Sequence, residues 1–260
     1  MEYEYRGLMA QSWDVLRGDT SGWPDRAFFL AAIHRYGEPA LDVGCGTGRL
    51  LLDYLGQGVD MDGLDNSPEM LEICRQRADA LGLAPVLHLQ QMEELDLPRR
   101  YRTICVPSSS FQLVVEPAAA RRALERFRDH LLDGGALVLP FIVMGRPGQP
   151  LEETWTREAT MEDGVVVRRR AWSRYDPTTQ LERTRDVYEL ISSEGRVIAS
   201  EEHERSSATR GYRPDQALAL LKQVGLEVVE LVGGFSDRAY DPATDDLFTI
   251  TAVRRAGRGR

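Results

Sequence analysis

The sequence predicts an α/β fold: a seven-stranded, mostly parallel sheet closed by a terminal antiparallel hairpin, with an antiparallel β-meander inserted ahead of that hairpin. Three observations carry the prediction. Short apolar strands alternate with amphipathic helices through the first half of the chain, a glycine-rich turn joins the first strand to the helix after it, and beyond Pro150 the pattern changes to β-branched and aromatic segments separated by turns.

The elements follow in order. Residues 25–36 place Phe28, Phe29, Ala32 and Ile33 at helical spacing behind Pro24, which suits a first helical turn, and Gly37 stops the helix. Residues 40–43 form a short apolar strand that feeds the glycine cluster, and 49–55 the helix that leaves it. Residues 59–64 alternate as a strand does. In 67–81, Ser67 caps a helix, Pro68 opens it, and Met70, Leu71, Ile73, Cys74 and Ala78 turn inward. Strands near 86–89 and 103–106 come next, then a helix over 117–132 and, after Asp133-Gly134-Gly135, the apolar strand 136–143.

The segments 154–160, 165–175, 181–191 and 196–205 read as strands, with turn signals at Asp163-Gly164, Asp176-Pro177 and Glu194-Gly195. The α/β style then returns with a helix over 213–224, ended by Gly225, and strands at 227–232 and 247–254. Two strands in succession without a helix between them pair antiparallel, which gives the terminal hairpin. The expected organisation is a main domain from 1–150 and 206–260, with 151–205 an inserted substrate-side subdomain.

Composition narrows the function. The net charge is −9, from 32 basic and 41 acidic residues, so the chain gains no general attraction to a phosphate backbone, and nucleic acid is not an expected partner. The basic stretch VVVRRRAWSR, from Val165 to Arg174, falls on a strand and reads as a solvated sheet face. No apolar run approaches the ~20 residues of a membrane span. The N-terminus lacks a basic start and an apolar stretch, so a cytoplasmic location is expected, with no membrane partner. Cys45, Cys74 and Cys105 are far apart, with no CxxC pair and no histidine at ligand spacing, so neither a disulfide nor a metal site is expected.

The most informative residues are Leu41 to Gly48, LDVGCGTG, where the first strand meets a helix. Gly44, Gly46 and Gly48 let the backbone turn sharply and let a ligand lie directly on it. Asp42, at the strand end, is placed to hold the loop and approach an ammonium group. Asp65 ends the second strand, about twenty residues on, where a carboxylate accepts hydrogen bonds from a ribose diol. The spacing GxGxG departs from the GxGxxG of dinucleotide folds, because position 49 is Arg. A cationic, phosphate-free nucleoside suits this loop better than NAD.

With these two motifs the sequence resembles the class I S-adenosylmethionine-dependent methyltransferase family, closely over 37–145 and loosely over 213–254. LDVGCGTG is similar to the family's first motif, and GLDNSPEML, from Gly63 to Leu71, to its second. The resemblance implies a Rossmann-like domain whose cofactor is S-adenosyl-L-methionine. It implies that Asp42, Gly44, Cys45 and Gly46 lie beside the methionine part, that Gly48 belongs to the same cofactor-binding loop, that Asp65 binds the ribose hydroxyls and that Asn66 flanks adenine. LQQMEELDLP is similar to the segment bordering adenine, with Gln91 standing where the family usually has an acid and Met92 packing on the base. In YRGLMAQSWD, Trp13 stands where tyrosine is usual in an aromatic lid, to which Tyr3, Tyr5 and Met9 also belong as candidates. PSSSFQLV resembles the loop near the methyl donor and the first substrate contacts, which makes Ser108 and Phe111 candidates.

Methyl transfer from a sulfonium is an in-line displacement, so proximity supplies much of the catalysis and no fixed triad is required. His34, His88 and His130 read as structural or capping residues. His203 is the candidate general base, and with Arg205, Arg210 and Tyr212 it forms a polar group at the exit of the meander that can meet a substrate. The expected reaction is methyl transfer to N or O of a small molecule. The alternatives are an NAD-dependent oxidoreductase and a noncatalytic cofactor-binding protein on the same fold.

Overall fold

A computed structural model of the chain describes residues 5–146, 148–161, 163–204 and 208–255. Two short helices, α1 (Gly7–Gln11) and α2 (Trp13–Arg17), precede the longer α3 (Pro24–Tyr36). The main unit then runs β1 (Ala40–Val43), α4 (Leu51–Gly56), β2 (Met61–Asp65), α5 (Pro68–Ala80), β3 (Leu87–Leu89), β4 (Tyr101–Cys105), α6 (Pro117–His130) and β5 (Leu131–Ile142). Strands β6 (Glu152–Thr160), β7 (Val166–Asp176), β8 (Leu181–Ile191), β9 (Val197–Glu204) and β10 (Thr209–Arg210) follow, and α7 (Pro214–Gln223), β11 (Leu226–Gly233) and β12 (Leu247–Arg254) return to the main unit.

The main sheet has seven strands in the order β3-β2-β1-β4-β5-β12-β11. The pairings among β1 to β5 are parallel, and β12 runs antiparallel to both β5 and β11. This is the expected sheet with its terminal hairpin. Residues such as Leu41, Val43, Ile104 and Leu139 are buried along it because helices cover both faces. One face packs Phe29, Ile33, Leu51, Tyr54 and Leu71 from α3, α4 and α5, and the other packs Leu124, Phe127 and Leu221 from α6 and α7. Burying a side chain the size of Phe127 contributes about 2–3 kcal/mol. The Ser67 hydroxyl accepts the Met70 N–H at 3.1 Å, the cap that its position ahead of Pro68 foretells.

The second sheet is antiparallel: β6, β7, β8 and β9 pair in succession, and β10 continues along β8. Its inner face carries Trp155, Arg169, Ala171, Ser173, Tyr175, Asp186 and Tyr188, the alternate residues along each strand. Two features were not legible in the sequence. Strand β10 extends this sheet past residue 205, and α1 and α2 lie between the two sheets.

Helix α1 is held from both sides. Glu69 on α5 accepts the Gly7 N–H at 2.8 Å, and Glu201 on β9 accepts the Leu8 N–H at 2.7 Å. Leu8 and Met9 pack with Tyr188, a small core of their own. Asp14 on α2 bonds Thr47 and Arg77, and Arg157 on β6 reaches the Leu16 carbonyl. Among the described residues no helix is long and apolar enough to cross a membrane.

Candidate active site

The strand order reverses beside β1, whose neighbours are β2 and β4, and open α/β sheets bind ligands at the carboxyl ends of strands at such a point. A crevice of about 870 Å3, counted to its open mouth, lies there. The glycine loop forms its floor. Gly44 and Cys45 both donate their N–H groups to the Leu64 carbonyl, tying the tip of β1 to β2. Gly44 has φ 75°, and a Cβ on it would sit 2.8 Å from the Ser110 hydroxyl. Gly48 has φ 85°, and a Cβ there would strike Cys74 and Leu52 at 2.7 Å. Both positions therefore need glycine, Gly44 for the crevice and Gly48 for the core behind it.

Asp65 accepts the Gly46 N–H at 2.8 Å and the Ser67 N–H at 2.9 Å, one on each carboxylate oxygen. Burial pushes its carboxyl up while the backbone donors of Ser67, Gly46 and Asn66 pull it down. Each oxygen keeps a lone pair for a further donor. Asp42 is buried, and its Oδ1 has no protein partner among the described residues. Its carboxyl is pushed up to about 7, by burial first, with Arg49 opposing and Asp65 adding to the rise. A cation at this point would supply the missing partner.

The N-terminal helices make the roof. Arg17 lies 4.2 Å over the Trp13 ring, and Tyr5 meets Trp13 edge-on at 4.7 Å. Desolvation brings the Arg17 guanidinium down to about 10. Its hydrogen bond to the Ser108 hydroxyl is long, 3.4 Å, and among the described residues no carboxylate pairs with it. Arg49, by contrast, is held by Asp25. Among the described residues the crevice thus presents an orphaned carboxylate, a guanidinium without a carboxylate partner and a second carboxylate with lone pairs to spare, a set that can receive an amino acid joined to a nucleoside.

After β4 the chain turns through Ser108 (φ 55°) and Ser109 (φ 57°), two successive non-glycine residues in the left-handed region. Such a conformation costs about 1–2 kcal/mol per residue. The Ser110 hydroxyl donates to the Pro107 carbonyl at 2.7 Å, but the buried Ser109 hydroxyl has no partner among the described residues, a further cost of about 1–3 kcal/mol.

Of the residues expected from the sequence, Trp13, Asp42, Gly44, Cys45 and Gly46 line the crevice, as do Asp65, Asn66, Met92 and Ser108. Gly48 lies behind the loop. Gln91 does not line it: the chain leaves β3 in extended form, and Gln90 faces the crevice, its side chain bonded to the Asp96 backbone. Burial pushes the Cys45 thiol well up, which suits a wall residue rather than a nucleophile.

The expected substrate group does not gather at the crevice. Phe111 is fully buried, 5.9 Å from the rings of both Phe141 and Tyr212, so apolar packing claims it. Tyr212 packs on the same rings, its hydroxyl buried without a partner among the described residues. Arg210 is spent on the Val115 and Thr179 carbonyls, and both Arg210 and Tyr212 border a separate hollow near α7. His203 is buried edge-on to Tyr188 at 5.6 Å and lies 3.2 Å from Glu201, so it braces the carboxylate that holds α1 and does not reach the crevice. Arg205 lies outside the described residues. Among those residues no group of His, Cys, Asp and Glu is arranged to hold a metal.

Sequence reasoning missed Arg17, Arg49, Gln90 and Ser110. Arg17 carried a signal, since it stands four residues after Trp13 and so shares a helical face with it. Arg49 and Gln90 sit on irregular backbone, and Ser110 opens a single turn of 3-10 helix, too short for spacing to set a direction.

A sequence model described as a methyltransferase domain matches residues 40–135. A dTDP-3-amino-3,6-dideoxy-alpha-D-glucopyranose N,N-dimethyltransferase from Streptomyces fradiae is 30% identical over 246 residues, 90% of this chain and 90% of the relative. The CcbJ methyltransferase from Streptomyces caelestis superposes with a TM-score of 0.77 at 22% identity, over 98% of this chain and 100% of that one. An amino pentose methyltransferase from Micromonospora echinaspora, solved with S-adenosylmethionine bound, gives 0.68 at 22% identity, over 96% and 98%. These two likenesses are of fold.

Proposed function

Because this chain belongs to the class I S-adenosylmethionine-dependent methyltransferases, we propose that it methylates the amino nitrogen of an amino sugar. The family assignment removes the oxidoreductase and noncatalytic alternatives and makes S-adenosylmethionine the cofactor. The reading of the acceptor is supported by the Streptomyces fradiae relative, whose name specifies an amino sugar and whose likeness spans both sheets. The single observation that carries it in this chain is that the crevice opens, past Tyr5, Ser108 and Leu113, into a second cleft walled by carboxylates and aromatic rings.

When bound, the cofactor would supply an electrophilic methyl group: the lone pair of a neutral amine attacks its carbon in line, the C–S bond breaks as the N–C bond forms, S-adenosylhomocysteine leaves as a neutral thioether, and the methylated nitrogen gives its proton to solvent. The chain's residues bind and align. Asp65 would take the ribose hydroxyls, Asp42 the α-ammonium and Arg17 the carboxylate of the cofactor, in a crevice that the glycine loop, Ser108 and Ser110 also line. Holding both reactants at contact distance replaces much of what a dedicated base would do.

Arg17→Ala is expected to weaken S-adenosylmethionine binding by about 1.5–3 kcal/mol, the worth of a hydrogen bond to a charged group. Unchanged affinity in calorimetry would take Arg17 out of the cofactor site. Asp42 makes that affinity pH-dependent. Its folded pKa, about 7, lies above that of the unfolded chain, so its contribution to stability is full at acid pH and is lost as pH rises through about 7. A bound ammonium favours the ionised form, so below about 7 the affinity should rise about tenfold per pH unit, levelling before the ligand's own amine titrates near 8. Asp42→Asn should flatten this profile; a wild-type profile already flat would refute the pairing.

The acceptor is tested by incubating the protein with S-adenosylmethionine and dTDP-3-amino-3,6-dideoxyglucose or other amino sugars, with the matching 3-hydroxy sugars alongside. Mass spectrometry should show methyl gain on the amines. Gain on the hydroxy sugars alone would overturn the N-methyl reading and leave the family assignment untouched.

A further inference from the structure

Ser109 costs the fold stability twice, through a left-handed backbone on a non-glycine residue and through a buried hydroxyl without a partner among the described residues. Its neighbours differ: Ser108 meets Arg17, and Ser110 bonds the Pro107 carbonyl. Ser109, only 4% exposed, borders the second cleft, which measures about 1210 Å3 to its open mouth and lies between this turn and the inner face of the meander.

The opposite wall has a definite chemistry. Ser173 pairs across the sheet with Glu153, and the half-buried Glu182 hydrogen-bonds Ser173, so two carboxylates flank one hydroxyl. Burial pushes the Glu182 carboxyl up, and the nearby charge of Glu153 pushes it further. Trp155 and Tyr175 add two aromatic faces. Tyr175 is fixed because a side chain on either Gly145 or Gly211 would collide with its ring or hydroxyl. Arg169 also lines the cleft, but Asp186 holds its charge at 2.7 Å. Carboxylates accept N–H and O–H donors, and aromatic faces take the C–H face of a ring.

We propose that this cleft is the acceptor site, taking an amine on a hydroxylated ring, and that Ser109 is its positioning residue, bonding the acceptor beside the nitrogen that receives the methyl group. Rotation about one side-chain bond redirects the hydroxyl toward such a ligand. Glu182, with Glu153, takes the ring's hydroxyl or ammonium groups on the far wall. The inference rests on the methyl-transfer reading above and adds the residues that select the acceptor.

Ser109→Gly separates the two roles of this residue, because glycine accepts the left-handed backbone while it removes the side chain with its hydroxyl. The acceptor KM should rise roughly tenfold, the loss of about one hydrogen bond, while calorimetric affinity for S-adenosylhomocysteine stays at the wild-type value. Glu182→Gln should raise the same KM and remove the acid limb of its pH profile. If Ser109→Gly matches wild type in KM and kcat, the turn serves the backbone alone and the proposal fails, with methyl transfer intact. If only hydroxy sugars are methylated, the amine class fails, and the same KM comparison on those sugars decides Ser109. If S-adenosylhomocysteine binds but neither amines nor hydroxy sugars are methylated or shift the melting temperature, the acceptor-site proposal fails outright.

Discussion

Asp65→Ala is expected to lower the affinity for S-adenosylmethionine by about 1–3 kcal/mol, roughly 5- to 150-fold, from the ribose hydrogen bonds alone. The loss has a second source. The same carboxylate accepts the Gly46 N–H and the Ser67 N–H, so its removal leaves both donors without their acceptor and frees the tip of the glycine loop. Calorimetry and a melting curve separate the two. Loss of affinity with an unchanged melting temperature assigns the effect to the ligand, and a fall in both assigns part of it to the loop. Binding at the wild-type level would remove Asp65 from the site.

Asp186→Ala is expected to destabilise the chain by about 3–5 kcal/mol, the largest single effect on stability foreseen here. Asp186 is fully buried on the inner face of β8, and it neutralises Arg169, whose guanidinium lies 4.6 Å over Trp155 and 5.6 Å over Tyr188. Removing the acid strands a largely buried cation between two aromatic rings at the wall of the second cleft. Asp186→Asn keeps the shape and a hydrogen-bond acceptor and should cost less. Urea unfolding checks both, and a loss under about 1 kcal/mol for the alanine variant would mean that water reaches Arg169 readily.

The floor of the crevice was legible because its signals are local. Gly44, Gly46, Asp42 and Asp65 sit at strand ends, where backbone conformation and residue type fix each other, and a short window of sequence contains both. The acceptor half depends on which elements meet across a gap, and no window contains that. His203 looked like a base at the exit of the meander, yet it lies against Glu201, which holds α1. Phe111 and Tyr212 looked like substrate contacts, yet Phe141 completes a ring cluster with them. The shift from Gln91 to Gln90 has a simpler cause: between β3 and the next turn no periodicity assigns faces. The main sheet was read with few errors for the opposite reason, since runs such as ALVLPF (136–141) and FTITA (248–252) are buried whichever helix covers them.

The place of β12 in the sheet bears on the order in which the protein can be made. It lies between β5 and β11 and pairs with β5 from Leu247 opposite Ile142, about a hundred residues earlier in the chain. On the ribosome, β5 therefore waits with one edge open while the whole meander is synthesised. The meander pairs each strand with its neighbour in sequence and can form during that interval, since contacts close in sequence form fastest. The open edge of β5 is then the surface most exposed to wrong partners during synthesis, and it is sealed only when one of the last strands arrives.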